Sequence, residues 1–446
     1  MKLLILPTQL FNINKNYKQI LNNVDEIIIA EHSYYFTRFK FHKLKLAYMV
    51  ASMRNYKDYI EEYINKNANY RNIKISYITF DKYNNRNFNY KDIRIYDPID
   101  IPVKEEFKNS EILESNMFLL DNKDISCINY KRFNSFYDIS KKIIKEKYKL
   151  DFTELKSQDK LNRKTMSSKD IQDFKEVIPK YKNKHYKYAI KYINQKFKNN
   201  FGELDIDNLS ELAVDYKDAK KHLNIFLKKR LNKFGPYQDF VSKNHNVLYH
   251  SNISYLINCG LLSPLYVLKE INKYRGNKEC SYQSFEGFVR QIIWREFMRY
   301  IYVKNPEIKN DNFWKSKNKI NWKQMYGEES TGFKILDNEI NKLKRTGWNH
   351  HIVRLAVFLN YFVLTETDPE EINKWFQEVI SLDSYEWVMV SNIWVMGYYT
   401  KGYTSKPYYF SSNYLNKMTD YKIESGWDEK YRKFVENKKD FKYYRY

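Results

Sequence analysis

Two histidines stand side by side in "RTGWNHHIVRLAVFLNYFVL", residues 345–364, and an arginine follows within one helical turn. Imidazole titrates near neutrality, so His350 and His351 are candidates to give or take a proton, with Arg354 supplying a fixed positive charge. Successive helical residues point about 100° apart, so the two rings cannot share one environment and at most one faces a ligand together with Arg354. A structural account of the same residues stays open. Gly347 can end one helix, Asn349 can cap the next, and Ile352, Leu355, Ala356, Leu359 and Phe362 form a buried stripe. A second polar series runs through "SFEGFVRQIIWREFMRYIY", where Gln291, Arg295 and Arg299 recur every four residues opposite an apolar face of Phe285, Phe288, Ile292 and Tyr300.

The elements that must position these residues divide the chain. Up to about residue 125 the pattern alternates between strand and helix: "KLLIL", "EIIIAEHSYYF" and "IKISYITF" suit buried strands, and 40–56 places Leu44, Ala47, Tyr48 and Ala51 on one helical face. This βαβ order predicts a parallel sheet with crossover helices, continued by the proline-broken "YDPIDIPVKEEF". Neither a G-x-G-x-x-G nor a Walker sequence follows any of these strands, which argues against an ordinary dinucleotide or nucleoside triphosphate site. Residues 126–200 read as a lysine-rich, weakly patterned connection, and helical periodicity dominates from there to about 420. "TDPEEINKWFQEVI" carries a cap, a proline in the first turn and acidic residues at the positive end of the helix dipole.

The chain has 446 residues, enough for two or three domains, and 43% hydrophobic residues, enough for a large core. A net charge of +23 suits a polyanion such as a phosphate backbone, although a chain rich in Lys, Asn, Ile and Tyr throughout also gathers positive charge by composition alone. Cys127, Cys259 and Cys280 lie far apart, without C-x-x-C spacing, which disfavours a disulfide framework or a cysteine-only metal site. The apolar runs are too short to span a bilayer and "MKLLILPTQL" is too brief for a signal peptide, so a soluble, intracellular, monomeric protein without a membrane partner is expected.

The motifs in their order resemble the photolyase/cryptochrome superfamily, and within it the bacterial iron-sulfur branch of photolyase-related proteins, the prokaryotic (6-4) photolyases. The resemblance rests on "EHSYYFTRFKFHKLKLAYMVASMRNY", "NRK" at 162, "NNFGELD" at 199, "RLNKFGPYQDF" at 230, "LYHSNISYLINCGLLSP" at 248 and "SFEGFVRQIIWREF" at 284. "TGFKILDNEI" at 331, "TGWNHHIVRL" at 346, "DSYEWVMVSNIWVMG" at 383 and "TSKPYYFSSNYLNKMTDY" at 404 complete it, so it covers almost the whole chain. It implies a Rossmann-like α/β antenna domain with a parallel sheet over 1–125, a connection over 126–200, and a larger all-α domain over 201–446 that binds FAD and a UV lesion. The implied activity is light-dependent repair of DNA, by electron transfer from reduced FAD to a flipped-out pyrimidine dimer, with the (6-4) product preferred over the cyclobutane dimer.

By the same resemblance His250, Ser251 and Ser254 would wrap the flavin phosphates, and Arg295, Arg354, Asp383 and Asn392 would complete the cofactor site. Trp387, and after it Trp394, would relay an electron to the flavin, while Gln291, Trp294 and Arg299 would face UV-damaged DNA. His350 and His351 would line the lesion pocket, either one serving as proton donor. Gln9, Glu31 and Tyr35 would hold a lumazine-like antenna at the carboxyl ends of the strands. The chain departs from its branch at the cluster ligands: Ile335, Lys422 and Ser425 occupy cysteine positions, so no metal and no iron-sulfur cluster is expected. Tyr255 also replaces a usual proline, and a common glycine before "WREF" is lacking. The departures keep an alternative open, a cryptochrome-like flavin photoreceptor or DNA-binding regulator without repair activity.

Overall fold

The computed structural model describes residues 1–12, 17–83, 88–404, 407–439 and 441; Ser405 and Lys406 of the block at 404 lie outside them, as does the end of the chain from 442. The chain forms two compact units. The first comprises Met1–Asp121, Ile178–Leu223 and Ile253–Val267, and the second Asn122–Val177, Asn224–Asn252 and Leu268–Tyr446.

The first unit is built on five parallel strands, β1 (Lys2–Ile5), β2 (Glu26–Ala30), β3 (Lys74–Ile78), β4 (Ile93–Tyr96) and β5 (Glu111–Leu113), in the order β3-β2-β1-β4-β5. The two central apolar runs pair in register, Leu3 beside Ile27 and Ile5 beside Ile29, and are buried on both faces as a parallel sheet requires. The strand expected from "EIIIAEHSYYF" stops at Ala30, because His32 turns the chain by accepting the Tyr34 N–H and starts a short helix, Ser33–Phe36.

The crossover helix α1 (Lys43–Lys66) buries Leu44, Ala47, Tyr48 and Ala51, the face read from the sequence. His42 caps it, its Nδ1 accepting the Leu44 N–H at 3.0 Å. Gly202 packs directly on that cap: its φ is +96°, and a Cβ there would lie 2.1 Å from the His42 ring. Tyr255, at the position of the usual proline, is buried in this unit, its hydroxyl accepting the Ala213 N–H at 3.3 Å.

The second unit is helical among its described residues. The stretch read as a weakly patterned connection contains a four-turn helix, α2 (Phe133–Tyr148), whose Phe133, Phe136, Tyr137 and Ile144 are buried. Ser140 and Lys141 take the buried turn between Tyr137 and Ile144, so polar residues break the apolar spacing in the sequence. Phe136 packs against Phe297 and Tyr300 of the long helix α3 (Tyr282–Lys304), at ring-centroid distances of 5.0 and 5.1 Å. The expected cap before α5 is present, with Asp368 accepting the Glu370 N–H ahead of Pro369; α4 spans Lys334–Thr346 and α5 Pro369–Val379.

The "NHHIVRLAVFL" segment departs from the expected amphipathic helix. Gly347 does end α4, at φ +56°, but Asn349 does not cap the next helical segment, because neither of its side-chain amide atoms has a hydrogen-bond partner. Val353–Leu359 is π-helical and buried on every side, not along one stripe. A second π-helical segment is Val390–Val395. Such wide turns cost regular hydrogen bonding and recur at functional sites.

Gly202→Ala should destabilise the first unit by on the order of 2–4 kcal/mol, since it combines positive-φ strain with displacement of a helix cap. Urea unfolding followed by circular dichroism measures this, and a change below about 0.5 kcal/mol would show that the His42 contact is dispensable.

Candidate functional site

The histidines resolve into two environments, with His350 in the turn and His351 opening the helical segment that follows. His350 is buried and stacks on His250, with ring centroids 4.1 Å apart and planes 13° from parallel; neither of its ring nitrogens has a hydrogen-bond partner. His351 retains accessible surface, yet desolvation dominates its chemistry and lowers its pKa to about 4. An accessible ring that surrounding protein desolvates is a candidate to line a concavity. Burial, and then the cationic form of His250, hold His350 well below the ordinary histidine range.

Arg354 donates from Nη2 to Asp383 Oδ1 at 2.7 Å and from Nε to the Asn349 carbonyl at 2.9 Å. One guanidinium thereby fixes the turn before the histidines to the segment after α5. The Leu382 N–H donates to the Gly347 carbonyl at 3.0 Å, and Asn246 Nδ2 to the Trp348 carbonyl at 3.2 Å, drawing the loop before His250 into the same cluster. His250 and Asp383 both act electrostatically on His351.

Downstream of Asp383, Trp387 is buried with the Arg295 guanidinium 4.9 Å from its ring centroid. Arg295 is half-buried and desolvation lowers its pKa to about 9, so it stays charged at neutral pH. The Asn392 carboxamide oxygen and the Trp394 indole nitrogen are buried without hydrogen-bond partners. Asn349, His350 and Asn392 thus present buried polar atoms that the protein leaves unsatisfied, which native proteins avoid unless a ligand or water completes them. These donors and acceptors, with Arg295 and Arg354, fit the phosphate, ribose and heteroaromatic edges of a flavin dinucleotide.

Other expected site residues are placed differently. The flavin-wrapping block is divided between the units: His250 and Ser251 belong to the second, whereas Ser254 belongs to the first and begins the helix Ser254–Cys259. The Ser251 carbonyl accepts from Arg230 Nη2 at 3.4 Å. Gln291 and Trp294 are half-buried on α3, and Phe133 covers one face of Trp294 in a parallel stack at 3.8 Å. Arg299 is buried: it is 3% exposed and donates to Asn122 Oδ1 at 2.7 Å, because α3 is enclosed around most of its circumference.

At the positions of the expected cluster ligands the donor set does not fit iron. Ile335 is fully buried in α4, and Ser425 precedes α6 (Gly426–Asn437). Phe333 packs edge-on against Trp427 at 5.4 Å, and the Lys334 N–H donates to Glu424 Oε1 at 3.1 Å, so aromatic packing and a carboxylate join these segments.

In the first unit the antenna candidates are engaged internally. Glu31 accepts from Tyr77, Tyr192 and the Phe80 N–H at 2.7, 2.9 and 3.2 Å, and burial pushes its carboxyl up. Gln9 bonds the Leu6 N–H and the Tyr96 carbonyl, and Tyr35 donates to Asp100. A separate open cavity of about 250 Å³ is lined by His32, Ser33, Tyr34, Thr37, Arg38, Pro102, Val103 and Glu106.

Residues 3–209 match the family model described as deoxyribodipyrimidine photo-lyase-related protein, and residues 288–435 the model described as FAD binding domain of DNA photolyase. The chain is 34% identical over 250 residues to a (6-4) photolyase of Agrobacterium fabrum, covering 55% of this chain and 48% of that protein. It therefore spans about half the length of that relative. Its fold is similar to a class III photolyase from Agrobacterium tumefaciens, with a TM-score of 0.63 and 14% identity over 98% of this chain and 86% of that one. It is similar also to a Synechocystis cryptochrome, with a TM-score of 0.61 and 14% identity over 94% and 88%.

The desolvation of His351 sets a direct expectation. Histidine-edited NMR of the free protein should find its ring titrating near pH 4 and silent between pH 6 and 8. A midpoint above 6 would mean that the concavity is open to bulk water.

Proposed function

The chain belongs to the photolyase/cryptochrome superfamily, and from that premise we propose that it is a light-dependent DNA-repair flavoprotein acting on UV pyrimidine dimers, with the (6-4) product as preferred lesion. One observation carries the reading: the unsatisfied buried atoms of Asn349 and His350 lie beside the Arg354–Asp383 pair, next to the accessible but desolvated His351. Bound in this cavity, FAD would supply the light-absorbing one-electron donor that dimer splitting needs. His250, Ser251, Arg295, Arg354, Asp383 and Asn392 are the residues that would hold it.

The chain's own residues divide the remaining work. Gln291 offers an amide to a base edge and Trp294 a single stacking face, since Phe133 occupies the other. A net charge of +23 supplies salt-dependent affinity for the phosphate backbone without sequence preference. His351 is neutral at pH 7 in the free protein, so to act as a proton donor it must gain its proton when the polyanion arrives and raises its pKa. Repair through this acid then slows as pH rises through the raised value. Cyclobutane splitting needs no such acid. The cofactor set is proposed as FAD without an iron-sulfur cluster; any lumazine-like antenna would have to use the first unit's cavity or displace the internal partners of Gln9, Glu31 and Tyr35. The covered face of Trp294 and the buried Arg299 favour one other reading, a flavin photoreceptor or DNA-binding regulator that does not repair.

Illumination with oligonucleotides carrying each lesion separately decides between these readings. Repair of the (6-4) product is expected, with His351→Ala lowering it by about 100-fold or more while lesion binding and flavin content hold. Repair of cyclobutane dimers alone would overturn the lesion preference, and repair of neither by a flavin-loaded protein would favour the photoreceptor.

A further inference from the structure

The stack of His250 on His350 contains an unresolved hydrogen-bond demand. His250 Nδ1 lies 2.9 Å from the Val247 carbonyl oxygen, and Nε2 lies 2.9 Å from the Gln238 carbonyl oxygen. A neutral imidazole has one N–H, so in either tautomer one carbonyl faces a ring lone pair; only the imidazolium donates to both. The ring is covered on one face by His350, whose nitrogens make no competing bond.

The surrounding charges decide which form the free protein holds. Burial and the Arg230 guanidinium disfavour the cation, whereas Glu176 and the two carbonyls favour it, and the balance leaves His250 below the ordinary histidine value. Glu176 is itself committed, accepting the N–H groups of Asn246, Val247 and Leu248. On the far side of the stack, Lys342, His351 and Arg354 all disfavour a charge on His350, so the pair has room for one proton and His250 has the two acceptors for it.

We propose that His250 takes up one proton when an anionic ligand binds beside the stacked histidines, its imidazolium donating to both Val247 and Gln238 while offsetting the ligand's charge. The ligand class is a dinucleotide with a diphosphate bridge, and the inference rests on the flavin-binding reading above. The proton comes from solvent, and no other bond changes. An anion stabilises the charged ring and raises its pKa, so uptake occurs between the free and bound values, and affinity weakens as pH rises through the bound value.

The test is calorimetric titration of FAD into the flavin-stripped full chain at pH 7, in buffers of different ionisation enthalpy. Oxidised FAD has no group of its own titrating near neutrality. Uptake of a substantial fraction of one proton is expected, with the dissociation constant rising several-fold between pH 6 and 8, against a ceiling of about tenfold per pH unit. His250→Gln should abolish the uptake and hold that rise below about twofold. Buffer-independent heat in the wild type would overturn the proposal whatever the variants do. Undiminished uptake in His250→Gln would overturn it too, assigning the proton elsewhere. Failure of FAD to bind in any buffer would instead overturn the flavin reading, and this inference with it.

Discussion

The second unit is organised by one buried ion pair. Arg354 and Asp383 are each 5% exposed and meet at 2.7 Å, so removing either takes a close opposite charge from a buried partner. Arg354 commits its Nε–H to the Asn349 carbonyl, so a single side chain clamps the histidine turn to the segment that leads into Trp387 and Asn392. The π-helical stretch Val353–Leu359, which carries Arg354, comes directly after this turn. Burial is the largest influence on the neighbouring histidines and the Arg354 charge adds to it, so both sit below the ordinary range.

This arrangement separates two roles that the sequence sets side by side. His350 turns inward onto His250 and joins the unsatisfied buried atoms, whereas His351 keeps accessible surface. Ligand completion is the natural outlet for such atoms, because leaving them bare costs roughly 1–3 kcal/mol each. Near positions 335 and 425, where thiols are absent, Phe333 packs against Trp427 and joins α4 and α6.

Much of the fold was legible because it depends on periodicity and local chemistry. The parallel sheet follows from the short apolar runs around β1 to β4, and α1 shows its buried face at helical spacing. The helix α2 was hidden, since polar Ser140 and Lys141 take the turn of its buried face between Tyr137 and Ile144. The π-helical turns were hidden for a different reason: a segment apolar on every side has no amphipathic period from which its pitch can be read. Of the site, the identities of His350, His351, Arg354 and Asp383 came through motif resemblance. The His250–His350 stack, the uncapped Asn349 and the burial of Arg299 depend on contacts between distant segments, which no local pattern encodes.

The central claim is that the Arg354–Asp383 pair shapes a flavin cavity. It is tested most directly by the flavin bound per chain, read from visible absorbance, in Arg354→Ala, Asp383→Ala and the double variant. Each single variant should lose most of its flavin while keeping its far-ultraviolet circular dichroism, and the double should recover part of the loss because no lone buried charge remains. Singles that purify with the wild-type complement of flavin would contradict the claim.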